Sequence, residues 1–146
     1  MGQAKMNERI YKFSREERRK IRKNLEEILR GEEEVEFAYL YGSFIEDLPF
    51  HDLDVGVYLE GLKKTGAISQ AIQLAQMLSS RLRIPVDVRI LNFAPFTFVY
   101  HVICGDLVFE RNEEVRSRVV ERTVQKYLDL QPILRHSTKE AFSRPY

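Results

Sequence analysis

The chain is short of the residues that build redox and metal-cluster chemistry. Its single cysteine, Cys104, excludes an intramolecular disulfide and a cysteine-rich zinc site. Cys104 sits in an apolar run, which predicts a buried, inert thiol in a reducing cytoplasm. The three histidines, His51, His101 and His136, are far apart and lack metal-motif spacing. An excess of one charge is missing too: 23 Lys and Arg stand against 22 Asp and Glu, unlike a general nucleic-acid binder. No apolar stretch approaches the ~20 residues that cross a bilayer. The polar, charged N-terminus predicts no signal peptide. P-loop, Rossmann fingerprint and nucleophile elbow are absent, as are internal repeats and low-complexity segments.

What is present fits one domain. The 146 residues, 44% of them apolar, suffice for a single core. Ser14 and Glu17 form a capping box, and Ile21, Leu25, Ile28 and Leu29 recur at helical spacing up to Gly31, which predicts a helix over 14–30. Its N-terminal half is densely basic: Arg15, Arg18, Arg19, Lys20, Arg22 and Lys23 form either a solvated face or a docking surface for an acidic partner or polyphosphate. Residues 36–41 read as a buried strand ending in the Gly42-Ser43 turn, followed by a short helix from Phe44 that gives way at Leu48-Pro49. Residues 52–60 alternate as a strand, with Leu53, Val55, Val57 and Leu59 on one face. A helix over 66–83 follows, its stripe formed by Ile68, Ala71, Ile72, Ala75, Leu78 and Leu82. Then come a strand over 86–91, a helix starting near Pro95, an edge strand over 107–109, a helix capped by Asn112 and a tail over 132–146. This order predicts an α/β (α+β) chain, a small mixed sheet covered by helices.

The chemistry concentrates at strand ends. Asp52 and Asp54 are i and i+2 on a strand, so their carboxylates share a face, opposite Leu53 and Val55. Two such carboxylates repel one another unless a cation lies between them, and hard cations such as Mg²⁺ take carboxylate and phosphate oxygens. Asp87, between two valines on a third strand, is the candidate third ligand of a two-metal site; the alternative is a strand residue facing water. Gly42 lets backbone approach a ligand, and Ser43 with helix-start amides favours an anion, although Gly-Ser alone is also an ordinary turn. The order strand, Gly-Ser, short helix, Asp-x-Asp strand is what links them.

These residues resemble the minimal nucleotidyltransferases (MNT) of the DNA polymerase β-like superfamily, the antitoxin partners of HEPN-domain ribonuclease toxins. The resemblance runs over residues 36–130, from Tyr41-Gly42-Ser43-Phe44 and Asp52-Leu53-Asp54-Val55 through Val86-Asp87-Val88 and Leu91-Asn92-Phe93-Ala94-Pro95 to Tyr127-Leu128-Asp129. It implies the polymerase β-like nucleotidyltransferase fold in a single domain over 1–146, with a catalytic core over 36–110 and a C-terminal helix and tail over 112–146. It implies that Asp52, Asp54 and Asp87 are the catalytic and metal-binding residues for two Mg²⁺ ions, and that Gly42 and Ser43 bind the nucleotide. The implied reaction moves AMP from ATP to a hydroxyl, here a tyrosine of a HEPN toxin. The connection 44–51 departs from many relatives, being shorter, acidic and without an arginine for the phosphates; Arg83 and Arg89 are the candidate replacements.

Two other functions stay open from the residues alone. One is a binding module that masks the HEPN toxin without catalysis. The other is a small-molecule nucleotidyltransferase of the aminoglycoside-modifying kind, for which the 59 residues after Asp87 leave little room for a further helical domain. Pairing of two copies through helices is also open, and no membrane role is expected.

Overall fold

Ser14 starts the first regular element as its spacing demands: its hydroxyl accepts from the Glu17 N–H, and the Glu17 carboxylate accepts from the Ser14 N–H. Helix α1 (Arg15–Arg30) follows, burying Ile21, Leu25, Ile28 and Leu29. This computed structural model describes residues 9–143, with side chains described for 9–133. Strand β1 (Val35–Tyr41) is buried along its whole length, and β2 (Leu53–Leu59) runs antiparallel to it. Helix α2 (Ala67–Leu82) then crosses over to β3 (Val86–Ile90), which pairs parallel with β2. Helix α3 (Phe96–Ile103), strand β4 (Asp106–Glu110, antiparallel to β1) and helix α4 (Glu113–Ser143) complete the described chain.

The sheet is mixed, in the order β3-β2-β1-β4, so the first two strands are central and the last two are edges. Strand alternation gives it two apolar faces. Ala38, Leu40, Val55, Val57, Val86 and Val88 belong to a core shared with α1 and α2. Phe37, Tyr39 and Tyr41 face the other way, onto Val99 and Val102 of α3, with Val115 and Val119 of α4 packed alongside. A sheet with helices on both faces results, the expected class. Gly56 makes the second layer close: a Cβ there would stand 2.5 Å from Val102 Cγ1, so α3 rests directly on the strand.

Two local expectations are corrected. The stripe of α2 buries Leu74 and Leu78, whereas Ile68 and Ile72 are 77% and 52% exposed, because the first turns of α2 flank the open edge of β3 and not the core. Cys104 is exposed, since it is the C-cap of α3 and lies beyond that helix's last buried residue, Val102. The short helix expected after Gly42 is present, as a 3₁₀ turn over Ser43–Glu46. Asn112 caps α4 as expected, its side-chain oxygen accepting from the Glu114 and Val115 N–H groups. The tail over 132–146 is helical as far as Ser143, and the rest of it lies outside the described residues. Among the described residues no helix is long and apolar enough to cross a membrane.

Candidate active site

Strand register assembles the site. Tyr41 pairs with Asp54 across β1 and β2, and Asp54 pairs with Asp87 across β2 and β3. Cross-strand partners project to the same face, so Tyr41, Asp54 and Asp87 form one row on the α3 side of the sheet. Asp52 lies one residue before β2, exposed, and its charge acts on Asp54.

Gly42 follows Tyr41 directly and has φ 82° and ψ −156°, a conformation that side chains resist. A Cβ at this position would collide with the Asp54 carboxylate. The glycine therefore brings the turn's backbone onto the central carboxylate, with exposed Ser43 next in line. All five residues singled out in the sequence, Gly42, Ser43, Asp52, Asp54 and Asp87, thus belong to one end of the sheet.

Their electrostatics are those of crowded like charges. Burial, then the charges of Asp52 and Asp87, push the Asp54 carboxyl up to about 6, with Arg89 opposing. Asp52 is also raised, by desolvation and then by Asp87, while His51 opposes. Burial, followed by the Asp54 and Asp87 charges, pushes the Tyr41 phenol up, which keeps it neutral. Arg89, two residues past Asp87, puts its Nε 3.3 Å from the Asp87 carboxylate. Arg83, the other candidate cation, is the left-handed C-cap of α2 and lines a different cavity with Arg9 and Lys20.

Oxygen donors crowded at one sheet end suit a hard divalent cation, and the Asp54 carboxyl is raised first by its burial and then by the neighbouring Asp52 and Asp87 charges. Among the described residues no three His, Cys, Asp or Glu side chains form a ready-made metal cage, and Asp87 is paired with Arg89. Asp52 and Asp54, with Asp87 across the ladder, are the residues that fit such an ion.

Arg18 is the contributor that the sequence reading left among surface charges. It is buried, and its guanidinium donates to the carbonyls of Phe44 at 2.5 Å and Leu48 at 2.9 Å. Its plane lies over the Phe44 and Phe50 rings, 5.0 and 5.5 Å from their centroids. The acidic connection between the Gly-Ser turn and Asp52 is therefore held from behind by a cation on α1. The signal was legible: Arg18, Ile21, Leu25 and Ile28 share one helical stripe. His51 is a loop residue whose Nδ1 lies 3.1 Å from the Arg9 carbonyl. On the α3 side Tyr41 meets Phe98 and His101 edge-on at 5.8 and 5.7 Å, an aromatic wall beside the carboxylate row.

Residues 23–114 match the family model "Polymerase beta, Nucleotidyltransferase". No curated protein matches the chain. Among solved structures, a chain of the tri-AMPylated Shewanella oneidensis HEPN toxin in complex with MNT antitoxin superposes with a TM-score of 0.64 at 19% identity, covering 86% of this chain and 99% of that one. A chain of a toxin–antitoxin structure with AMP-PNP gives 0.65 at 20% identity, covering 84% and 98%. A chain of the toxin–antitoxin MntA-HepT gives 0.59 at 20% identity, covering 89% and 100%. At these identities the likeness is one of fold.

Proposed function

The chain belongs to the polymerase beta nucleotidyltransferase family, and we propose that it is a Mg²⁺-dependent enzyme moving AMP from ATP to a hydroxyl of a partner protein, working as one domain over 1–146. The observation that carries this reading is the row Tyr41–Asp54–Asp87 with the Gly42 backbone pressed against Asp54. Gly42 and Ser43 take the triphosphate, the glycine by close backbone approach and the serine by its exposed hydroxyl. Asp52, Asp54 and Asp87 would hold the two Mg²⁺ ions. When bound, the ions neutralise the triphosphate and lower the pKa of the acceptor hydroxyl. The acceptor oxygen forms a bond to the α-phosphorus, the bond from that phosphorus to pyrophosphate breaks, and the hydroxyl proton leaves toward Asp87 or water.

The partner we propose is a HEPN-domain ribonuclease toxin, its tyrosine the acceptor and this chain its antitoxin in the cytoplasm. Support comes from the fold shared with a chain of the complex between a tri-AMPylated HEPN toxin and an MNT antitoxin, and with a chain of a toxin–antitoxin structure with AMP-PNP. The test is transfer of labelled AMP from ATP to the cognate HEPN-domain protein in Mg²⁺. Label on a folded partner is expected, and a folded partner left unlabelled overturns the reading.

A second reading, neutralisation by masking alone, draws on the Asp87–Arg89 pair and the acidic connection. Asp52→Ala with Asp54→Ala separates the two. Neutralisation is expected to disappear while the complex still forms; full neutralisation would favour masking.

A further inference from the structure

Strand β3 is an edge. Among the described residues it pairs only with β2, and its outer side runs along a groove of about 400 Å³. One wall is the start of α2, with Ile68 77% and Ile72 52% exposed, and the far end is Phe93, 45% exposed. Ile90 and Ala94 line it as well. Large apolar side chains left in water beside an open strand edge mark a docking surface, since monomers rarely cluster them. The groove also contains Asp87 and Arg89, so it opens onto the carboxylate row.

We propose that this groove seats an extended segment of the protein acceptor, added to β3 as a further strand, with its apolar side chains against Ile68, Ile72 and Phe93 and its reactive hydroxyl at Asp87. The inference rests on the nucleotidyltransferase reading above and names the acceptor's class and docking mode. Continuity with the site is the first argument. The hydroxyl must reach the Asp87 end of the row, and residues flanking it must then run along the strand beside Asp87. The second is chemical. A polyhydroxylated or polycationic small molecule would need polar or acidic walls, whereas α2 presents isoleucine and alanine. The third is the strand edge: the Val86 N–H is already taken by the Ser79 hydroxyl of α2, and the backbone groups further along β3 supply affinity while alternate side chains enter pockets that supply specificity.

The test uses the full chain with its cognate HEPN-domain protein and the variants Ile68→Asp and Phe93→Ser, with Ile68→Leu as the conservative control. Both residues are exposed, so melting temperatures should match wild type. ATP-analogue binding should also be unchanged, because neither side chain lies at the Gly42 turn. AMP transfer should fall by about tenfold or more, through a higher KM for the protein acceptor with kcat near wild type at saturation, and Ile68→Leu should restore it. Wild-type transfer with both variants equally active overturns the docking mode and leaves the enzymatic reading standing. A change of oligomeric state in the variants with transfer intact assigns the groove to a second copy of the chain and also overturns it. Absence of transfer by the wild type removes both.

Discussion

The Asp54 carboxylate occupies the space that a side chain on residue 42 would need. The Gly42 turn and the central carboxylate are therefore packed as one unit.

Gly42→Ala should harm the protein twice. The backbone at φ 82° and ψ −156° is nearly closed to side chains, and the new methyl displaces Asp54. A stability loss of about 1–3 kcal/mol is expected from the backbone conformation. Urea titration reads that loss, and ATP-analogue binding should weaken with it. A variant with wild-type values on both would show that turn and carboxylate are independent.

Asp54→Asn should stabilise the metal-free protein at neutral pH while abolishing transfer. The folded Asp54 carboxyl sits near 6 against an ordinary 3.8, so the folded state binds this proton more tightly than the unfolded chain. Its contribution is complete below pH 3.8 and disappears as pH rises to about 6. After screening, this is worth roughly 1–2 kcal/mol. Thermal melts in EDTA from pH 4 to pH 8 should show wild type losing stability across that window and the variant holding it. Added Mg²⁺ should raise the wild-type melting temperature more than the variant's.

Arg18→Met should lower stability by about 2–4 kcal/mol, because two loop carbonyls lose charge-assisted donors in a buried setting. Arg18→Lys should rescue little, since an ammonium cannot reach the Phe44 and Leu48 carbonyls as a planar fork over two rings. Chemical denaturation measures the first effect. Proteolysis within 44–51 reports whether the connection before Asp52 has loosened.

Glu36→Gln should stabilise the protein above the carboxylate range. Glu36 is only 5% exposed, and its Oε2 has no hydrogen-bond partner among the described residues. Burial, then the Glu60 carboxyl beside it, raises its pKa, while Arg111 opposes. Stability from this group is full below the ordinary value of 4.5 and fades as pH rises through the raised one. The glutamine removes the buried charge, so its advantage in melting temperature should grow from pH 4 to pH 7. An advantage that is constant with pH would exclude this origin.

Much of the site was legible because strand geometry is periodic. The alternation of Leu53, Asp54 and Val55 assigns the carboxylate to the face opposite the aliphatic core, and Val86-Asp87-Val88 does the same on its strand. Helix spacing was less reliable. Ile68 and Ile72 fit an apolar stripe, yet the start of α2 flanks an open edge, where no partner in this chain covers them. Arg18 carried the opposite error: its charge suggested solvent, but its place on the stripe of Ile21 and Leu25 put it inside. Cys104 was misplaced for a related reason, since an apolar run does not reveal on which side a helix ends.

The sequence by itself determined the order of elements, the caps of α1 and α4 and the face that Asp54 occupies, because these follow from local spacing and side-chain alternation. Only the tertiary structure decided that Tyr41, Asp54 and Asp87 stand in one row, that Gly42 leans on Asp54, and that Arg18 holds the acidic connection. Those relations depend on strand register and helix docking, which are set by how two apolar faces of one sheet are covered, and no local window of sequence contains that information.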